Sequence, residues 1–525
     1  MDGIELTDPV TLPAPDVLAV IGAHAREHPE RPALTDSRRA LSYAELMDEV
    51  GRAAAALTAR QVRAGDRVAL LIGNCAEFVV AALACMWVNA AFVPIPVSDP
   101  DPRRASIIAD CEPALLLTRE RRLEGYAGSQ ASMEELLADR SLGSPEADAA
   151  GLRVPDAERL STAYLVYTSG TTGSPKGVMI SRGAFAAAVA EIGRIVGNSS
   201  DTRALCVSPV HFDGSFSLVF PTLYRGGLLV MPERETLLFP RFYFRALRRH
   251  RINTVSFSPS FLRLLIAGGG LEPFAETDVD VLALGGEAPT GEEVRSIWAA
   301  KPTIRVINRY GPTEATISVS DLELRPELLA HGYVPIGAPH AGTGFHLVSA
   351  DGEPVTTVGV TAELWVSGPQ LMGGYWRAPE LTATVLSTDL VPGHTVYRTG
   401  DLVRLDAHGL LEFVGRTDRV FKHRGVRVSL IEVAEQLTRL DAVRAATAVA
   451  FDDGGSLGIA AFLVAAPETA LAAIQDALAD LLPTAMHPDR LFLRDALPLT
   501  GSSKVDETRL LAEAGLTPWQ SSPGG

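Results

Sequence analysis

Short apolar runs alternate with amphipathic segments through the first part of the chain. Val68–Ile72 and Ala91–Ile95 are apolar throughout, as buried strands are, and Glu77–Val88 between them has the pattern of a helix. Upstream, Ser42 precedes an amphipathic run and Glu45 follows three residues later, which predicts a helix that begins with a capping box. This strand–helix–strand order predicts a sheet whose parallel strands are joined by crossover helices.

The same order resumes after residue 200. Each of the next apolar strands ends in small and polar residues; these strands are predicted at Ala204–Val207, Thr254–Phe257, Val281–Leu284 and Ile304–Ile307. In open α/β sheets, ligands bind at the carboxyl ends of the strands. We therefore expect the segments that follow these strands to converge on one crevice.

The pattern changes again toward the C-terminus. Residues 121–160 are acidic and predicted to form a surface loop, whereas short strands and turns from Gly337 onward predict a small β-rich subdomain. After a basic segment at Gly415–Gly425, a helix near Leu430–Leu440, two strands and a second helix predict a compact α+β unit. The expected fold class is α/β, with these two smaller units added to a large multi-layered body.

One polar loop lies between two apolar runs. Tyr167–Gly177 reads Tyr-Thr-Ser-Gly-Thr-Thr-Gly-Ser-Pro-Lys-Gly, and the flanking residues predict strand, loop, strand. Its glycines allow the backbone to approach a ligand closely, while hydroxyl groups and Lys176 supply donors and a positive charge. Such a loop suits the phosphates of a nucleotide. It lacks the Gly-Lys-Ser/Thr ending of a Walker A loop, and taken by itself it is equally consistent with an ordinary surface turn.

Composition narrows the classes of function. A chain of 525 residues with 47% hydrophobic and 21% charged residues is typical of a globular enzyme of two or more domains. The net charge of −16 argues against nucleic acid or an anionic membrane as the main partner. The first residues lack the pattern of a secretory signal, and the four cysteines are too scattered for a metal site or a disulfide framework. A cytoplasmic protein is therefore expected.

Several motifs together resemble those of the adenylate-forming superfamily, and most closely the amino-acid adenylation domains of nonribosomal peptide synthesis. In chain order they are the Gly-rich loop, Gly285-Gly-Glu-Ala, Asn308-Arg-Tyr-Gly-Pro-Thr-Glu, Glu363-Leu, Gly374-Tyr-Trp, Tyr397-Arg-Thr-Gly-Asp, Gly415-Arg-Thr-Asp and Leu497-Pro-Leu-Thr with Lys504. The resemblance implies a large N-terminal domain (residues 1–417), a small mobile C-terminal domain (residues 418–525) and a hinge between them. The chain departs from the family pattern at Asn89 and Ser503, where glycine is usual.

The resemblance implies a site for ATP and Mg²⁺. Thr313 would contact the α-phosphate, Glu314 would hold Mg²⁺, and Asp401 would bind the ribose. Lys504 would be the catalytic lysine, placed between the substrate carboxylate and the α-phosphate. A capping glutamate, a turn aspartate and a solvated lysine are the structural alternatives. The other expected ATP-site residues are Thr168, Ser169, Gly170, Thr171, Thr172, Gly173, Lys176, Gly286, Glu287, Ala288, Asn308, Tyr310, Gly311 and Arg416.

The resemblance also implies a second half-reaction. Rotation about Asp418 would withdraw Lys504 and bring Lys422 and the Gly425 loop to the active site for thioester formation. No sequence after Leu510 resembles a carrier domain, so the expected partner is a separate, stand-alone acyl or peptidyl carrier protein with a phosphopantetheine arm. Basic residues would help to dock an acidic carrier; they are Arg416, Arg419, Lys422, Arg424 and Arg427.

Asp213 matches the aspartate that binds the substrate amino group in amino-acid adenylation domains. Acyl-CoA synthetases lack a carboxylate there, because their acids bring no cation to pair with it, and a buried aspartate without a cation is unfavourable. A substrate that carries an amine is therefore expected; the alternative is an aspartate that caps a turn or helix. By the same alignment the other substrate-pocket residues are Gly214, Ser217, Ser260, Ala283, Gly285, Arg309, Ile317 and Ser318.

Arg309 suggests a second charge on the substrate. An arginine in a pocket needs an anion, and its planar group matches a carboxylate. We expect an amino dicarboxylic acid such as aspartate or 3-methylaspartate, handled as a β-amino acid in the manner of enzymes that load polyketide carriers. The alternative is that Arg309 pairs with an internal acid. A carboxylate–CoA ligase of the same superfamily and an inactive adenylate- or carrier-binding protein are the alternative functions.

Overall fold

A computed structural model describes residues 6–7, 14–120, 122–138, 159–168, 175–233, 237, 239–331, 333–391, 394–417, 420–424, 426–454, 456–465, 470–498 and 505–519. Two large sheets form the body of the molecule. Sheet 1 consists, in spatial order, of Gly374–Tyr375, Lys176–Ser181, Thr162–Thr168, Ala91–Pro94, Arg67–Leu71, Leu115–Thr118 and Gln130–Ser132. Its strands run parallel except at the Gly-rich-loop hairpin and the short outer strand beside it.

Sheet 2 carries the strands whose carboxyl ends were expected to converge. In spatial order they are Ser320–Glu323, Arg305–Tyr310, Val281–Gly285, Thr254–Phe257, Arg203–Cys206, Leu228–Met231, Pro32–Asp36 and Ala40–Ser42. The inner strands are parallel, so the segments after them emerge at one edge of the sheet, as predicted. The two outermost strands, at either end, are antiparallel to their neighbours.

Helices fill the space between the two sheets and cover their outer faces. The main hydrophobic core joins residues of both sheets to the helices Val17–Glu27, Tyr43–Ala59, Ala76–Trp87, Arg182–Val196 and Phe216–Tyr224. A second core packs Pro240–Arg249, Pro259–Ala267 and Gly291–Ala300 on the far side of sheet 2, and a third packs Asp101–Cys111 on the far side of sheet 1. The multi-layered α/β body is therefore confirmed, and so is the helix with the capping box at Ser42 and Glu45.

The predicted β-rich subdomain is sheet 3, which has its own hydrophobic core. Its strands are Leu6–Thr7, Gly344–Val348, Thr361–Ser367, His394–Leu405, Leu386–Val391 and Leu411–Arg416, with the helix Pro379–Val385 beside them. The α+β unit that follows contains the hairpin Val420–His423/Val426–Ser429, the sheet Val443–Asp452, Leu457–Ala465 and Arg490–Leu493, and the helices Leu430–Thr438, Leu471–Ala479 and Glu507–Glu513.

Part of the predicted surface loop 121–160 is regular structure, and that prediction was wrong there. Gln130–Ser132 adds a parallel strand to sheet 1, and Met133–Ala138 is a helix with Met133 buried. The Ser132 Oγ accepts a hydrogen bond from the Glu135 amide, and the Glu135 carboxylate accepts one from the Ser132 amide. This capping box was a sequence signal that the acidic composition of the segment obscured. Residues 139–158 lie outside the described part of the chain.

Asn89, one of the two departures from the family pattern, has a physical explanation. Its φ is 56°, in the left-handed region that favours glycine. Asparagine is among the residues that tolerate this region best, and the Ser161 hydroxyl bonds its side-chain oxygen at 2.6 Å. The second departure, Ser503, lies outside the described residues. Within the described residues, no helix is both long enough and apolar enough to cross a membrane.

Candidate active site

The Gly-rich loop connects two antiparallel strands of sheet 1. Thr168, at the end of the first strand, pairs with Lys176 at the start of the second, so the predicted strand–loop–strand arrangement is confirmed. Thr168 is buried. The loop residues Ser169, Gly170, Thr171, Thr172 and Gly173 lie outside the described residues, and their predicted contacts with phosphate remain a prediction.

Lys176, at the end of the Gly-rich loop, contacts Glu314, the expected magnesium ligand. Its Nζ lies 3.2 Å from Oε1 of Glu314, which is fully buried. The Tyr375 hydroxyl accepts a hydrogen bond from Lys176 at 2.7 Å and donates one to Glu314 at 2.9 Å. Tyr375 belongs to the Gly374-Tyr-Trp motif, but no role was expected for it from the sequence. It joins the Gly-rich loop to the segment after strand Arg305–Tyr310.

Glu314 is the carboxylate expected to hold a magnesium ion, and its Oε1 also contacts Lys176 and Tyr375. Among the described residues, no group of three or more His, Cys, Asp or Glu side chains could hold a metal by itself. Mg²⁺ commonly takes one or two carboxylates and completes its shell with phosphate oxygens and water. Glu314 would therefore hold the ion only together with bound phosphates. Thr313, the expected α-phosphate ligand, begins the same short 3₁₀ turn, Thr313–Ala315.

The expected ribose site is a compact polar cluster. Tyr310 donates its hydroxyl to Oδ2 of Asp401 at 2.5 Å, and the Arg416 guanidinium bonds the other oxygen of Asp401 and the Thr399 carbonyl. Asp401 and Arg416 are cross-strand partners in sheet 3. Burial, reinforced by the Asp401 charge, raises the pKa of Tyr310 well above its ordinary value, so its phenol remains a donor. The three predicted residues are thus brought together.

The predicted Gly286–Ala288 segment lies at the adjacent strand end. Gly286 has a φ of 88°, which requires glycine, and it turns the chain after strand Val281–Gly285. The Glu287 carboxylate accepts from the Ser260 hydroxyl at 2.6 Å and from Arg263 at 3.1 Å. Ser260 was expected in the substrate pocket, but its hydroxyl supports Glu287 instead. Asn308 donates its amide to the Pro335 carbonyl, and this bond fixes the side chain.

Asp213 is buried at the start of a helix between the sheets. It lies in the 3₁₀ turn Asp213–Ser215, which leads into the helix Phe216–Tyr224, and the residue is 9% exposed. The buried Tyr164 is close enough for the Asp213 charge to add to the effect of burial, which raises the pKa of this tyrosine. A side chain at Gly214 would meet no atom within 4 Å, so there is open space beside Asp213.

The other expected pocket residues come from two neighbouring strands of sheet 2, the helix Phe216–Tyr224 and the segment after the turn Thr313–Ala315. Ala283 and Ile317 are buried in the core that also contains Phe216. Ser217 is buried and donates its hydroxyl to the Gly214 carbonyl at 2.6 Å. A Cβ at Gly285 would lie 3.1 Å from the Cβ of Arg309, so a larger residue there would crowd the arginine. We call the site predicted for Asp213, Ala283, Arg309, Ile317 and their expected neighbours the substrate pocket.

Arg309 has an internal carboxylate partner, and its expected contact with a substrate carboxylate stays a prediction. Its Nε lies 2.5 Å from Oδ1 of Asp321, the residue opposite it in the antiparallel strand pair, and its Nη1 donates to Ser256. The internal-acid alternative is thus observed. The pairing is incomplete, because Nη2 of Arg309 is buried without a hydrogen-bond partner among the described residues.

The chain between Glu314 and Ser318 is strained. Thr316 and Ile317 have φ angles of 56° and 71°, which are rare for β-branched residues. Gly311 permits this path, since a Cβ there would come within 2.4 Å of the Ser318 Cα. Gln370 braces the turn, donating its amide to the Ser318 carbonyl at 2.6 Å. Nothing in the sequence pattern indicated this brace.

Much of the expected lid machinery lies outside the described residues. This is true of Asp418, Gly425 and Lys504, whose roles remain predictions. The backbone of Lys422 pairs with Arg427 in a short hairpin, in which Arg424 has a φ of 52°. Two residues that were expected to dock a carrier have internal partners, because Arg416 pairs with Asp401 and Arg424 with Asp489.

The C-terminal unit contacts the N-terminal body through a buried ion pair that sequence reasoning missed. Glu432, on the helix Leu430–Thr438, is fully buried and bonds Arg103, which also lies 3.2 Å from Asp99. Burial raises the pKa of Glu432 and brings the pKa of Asp99 to about 6, although Arg103 opposes both shifts. No motif connects these positions.

Comparison with known proteins places these features in a family. The family described as AMP-binding enzyme matches residues 21–376. Tyrocidine synthase 1 of Brevibacillus parabrevis is 30% identical over 504 residues, which is 95% of this chain and 45% of that protein. Gramicidin S synthase 2 of Brevibacillus brevis is 31% identical over 490 residues, which is 92% of this chain and 11% of that protein. The chain spans less than half of the length of such relatives.

Solved structures of similar fold include two kinds of protein. One is holo-PA1221, a nonribosomal peptide synthetase protein containing adenylation and PCP domains (TM-score 0.80, 22% identity, 95% of this chain and 84% of that one). Another is the o-succinylbenzoate CoA synthetase of Bacillus subtilis (TM-score 0.80, 23% identity, 94% and 98%). At these identities the likeness concerns the fold alone. The family match spans more than half of the sequence, and the chain therefore belongs to the AMP-binding enzyme family and is an adenylate-forming ligase.

Proposed function

We propose that the enzyme activates an amino dicarboxylic acid, such as aspartate or 3-methylaspartate, and transfers it to the phosphopantetheine thiol of a separate carrier protein. The observation that carries the proposal is the burial of two oppositely charged residues that are expected in the substrate pocket, Asp213 and Arg309. Asp213 would bind the amine, as a β-amine where the substrate is handled as a β-amino acid, and Arg309 the carboxylate that does not react.

The position of Arg309 supports a substrate with a second carboxylate, even though Arg309 already pairs with Asp321. Strand alternation puts Arg309 on the same face of sheet 2 as Ala283, toward the helix that follows Asp213. Asp321 bonds only Nε, which leaves Nη2 as a buried donor without a partner among the described residues. A buried guanidinium donor without an acceptor is unfavourable, so a substrate carboxylate beside it would be stabilising.

The first half-reaction joins the substrate carboxylate to the α-phosphate of ATP and releases pyrophosphate. Asp401, Arg416 and Tyr310 would position the ribose, and Lys176 with the Gly-rich loop would hold the outer phosphates. Lys504 would stabilise the negative charge that develops between carboxylate and phosphate. Mg²⁺, held by Glu314 and phosphate oxygens, would offset charge on the leaving pyrophosphate. We place the boundary between the N-terminal domain and the lid at residues 417 and 418.

The second half-reaction would be thioester formation after the lid rotates about Asp418. The fold is shared with holo-PA1221, which contains an adenylation domain and its carrier, and this supports a carrier as the acceptor. It is equally shared with a CoA synthetase, so free coenzyme A is the alternative acceptor. Asp213 argues against that alternative, because a simple carboxylic acid would bring no cation to the buried carboxylate.

An acceptor assay separates these possibilities. The enzyme is incubated with ATP, Mg²⁺, aspartate and either a holo carrier protein or coenzyme A, and the acylated product is detected by mass spectrometry. We expect acylation of the carrier and little acyl-CoA. Acyl-CoA formation with an unmodified carrier would favour the ligase alternative, whereas tight nucleotide binding without pyrophosphate release would identify an inactive binding protein.

Replacing Arg309 with alanine should reduce discrimination in favour of the diacid. Discrimination is measured as the ratio of kcat/KM for the diacid to that for a neutral amino acid of similar size. The free energy that corresponds to this ratio is expected to fall by about 2–5 kcal/mol, the scale of truncating a buried charge pair. Arg305→Ala is the matched control, because Arg305 pairs with Glu323 on the same two strands but outside the pocket. Unchanged discrimination in Arg309→Ala would reduce Arg309 to a structural role.

A further inference from the structure

A chain of buried polar side chains begins at Arg309 and continues through Asp321. Oδ2 of Asp321 lies 2.9 Å from Nε2 of His340, and Nδ1 of His340 lies 3.1 Å from Oε1 of Gln370. Asp321, His340 and Gln370 are each 2% exposed or less. These residues lie far apart in the sequence, and neither the sequence motifs nor the expected site residues included them.

The hydrogen bonds determine the orientation of the Gln370 amide. Its nitrogen faces two backbone carbonyls, those of Ser318 at 2.6 Å and Thr316 at 3.3 Å. A flipped amide would place its oxygen against both carbonyl oxygens, so the nitrogen must be the group that donates to them. The Gln370 oxygen therefore faces His340 as an acceptor, and Nδ1 of His340 carries a proton.

The other ring nitrogen of His340 also carries a proton. It faces one carboxylate oxygen of Asp321, while the other oxygen lies 2.5 Å from Nε of Arg309, whose charge lowers the pKa of Asp321 against the effect of burial. An ionised carboxylate only accepts hydrogen bonds, so Nε2 of His340 must donate. A histidine that donates from both nitrogens is an imidazolium, and Asp321 is consequently shared between two cations.

Among the described residues, Glu191 is a further charge near His340: its pKa is lowered first by its bond with Arg194 and also by the charge of His340. Glu191, on the helix Arg182–Val196, approaches from the other side, where its Oε1 accepts from the Ala341 amide at 3.4 Å. Both of its carboxylate oxygens are bonded by Arg194, at 2.7 and 2.8 Å. The Glu191 charge is thus balanced locally, and the Arg309–Asp321–His340 group keeps one positive charge in excess.

We propose that His340 determines substrate specificity by binding Asp321 as a cation, so that Asp321 positions Arg309 without neutralising it and the pocket favours an anionic group. His340 touches no substrate and acts through Asp321 and Arg309, so it is a positioning residue. The inference rests on the proposed function, since it assigns the excess charge to a second carboxylate of the substrate. It explains how Arg309 can have an internal carboxylate partner and still bind an anionic group of the substrate.

His340→Gln tests this inference, because glutamine can bond Asp321 but brings no charge. The KM for the amino dicarboxylate should rise about tenfold or more, the scale of removing one charge from a protein interior, while the KM for a neutral amino acid changes little. His346→Gln is the control, because His346 bonds Ser367 in sheet 3, outside the site. An equal loss for both substrates would show that His340 is only structural.

A spectroscopic measurement on the wild-type protein does not depend on whether this variant folds. In ¹⁵N-histidine-labelled enzyme near pH 7.5, both ring nitrogens of His340 should show the shifts of protonated imidazole nitrogen, with His340→Gln used for assignment. A single protonated nitrogen would overturn the proposal. If the wild type does not activate diacids at all, the proposed function fails, and the labelling result separately decides the charge of His340.

Discussion

Replacing Asp213 with asparagine is expected to lower kcat/KM for the amino-acid substrate by roughly 10²- to 10³-fold. The side chain is buried at the start of the helix Phe216–Tyr224, and removing one partner of a buried charge pair costs about 3–5 kcal/mol. Asparagine keeps the shape and can still accept one hydrogen bond from an ammonium group, so the loss reports the missing charge. ATP–pyrophosphate exchange measures the effect.

Two comparisons distinguish this result from a general loss of structure. Asp201→Asn is the matched control, because Asp201 is exposed and precedes the strand Arg203–Cys206 of sheet 2, which Asp213 follows. A substrate analogue that lacks the amine should be activated no worse by the Asp213 variant than by the wild type. Similar losses with and without the amine would show that Asp213 does not bind it, and the assignment of an amino-acid substrate would lose its main support.

Replacing Lys504 with alanine is expected to lower the rate of adenylate formation by about 10²-fold or more, the scale of removing one group that stabilises developing charge. Lys504 lies outside the described residues, so this expectation rests on its place in the last motif. Transfer of a chemically prepared aminoacyl adenylate to the carrier should be unaffected, since the lysine would be withdrawn for that step. Lys504→Arg, which keeps the charge, should recover part of the activity.

Lys422 provides the reciprocal comparison. Lys422→Ala should leave pyrophosphate exchange near the wild-type rate and slow the transfer to the carrier, because the hairpin that contains it would reach the active site only after rotation. Single-turnover rates of each half-reaction in both variants test this pattern. Full adenylation activity in Lys504→Ala would overturn the catalytic assignment, and equal defects in both half-reactions would contradict the rotation.

Much of the fold could be predicted because it depends on local patterns. The apolar runs Val68–Ile72 and Ala91–Ile95, which fall in the strands Arg67–Leu71 and Ala91–Pro94, are signals that neighbouring residues carry by themselves, and so is the capping box at Ser42. The strand ends of sheet 2 were predictable for the same reason, since each apolar run stops where small and polar residues begin. The strand and helix at 130–138 were missed because acidic composition outweighed a capping box that was present in the sequence.

The residues of the candidate active site could be predicted only where they belong to a recognisable sequence motif. Asp401, Arg416 and Tyr310 were expected together and form one cluster. Asp321 and His340 were not foreseen, because their importance depends on cross-strand pairing and burial rather than on any local pattern. For this reason the sequence did not show which internal carboxylate pairs with Arg309. A single sequence shows that a cation lies in a pocket, whereas its ion-pair partner depends on tertiary structure.

The most direct test of the account is substrate-dependent pyrophosphate release from ATP across a panel of acids. The panel contains neutral α- and β-amino acids, aspartate, glutamate, 3-methylaspartate and the corresponding acids without an amine. We predict that an amino dicarboxylate gives the highest kcat/KM, that neutral amino acids are weaker, and that acids without an amine are weakest. Preference for the acids without an amine would contradict the central claim and identify the enzyme as a carboxylate ligase of another kind.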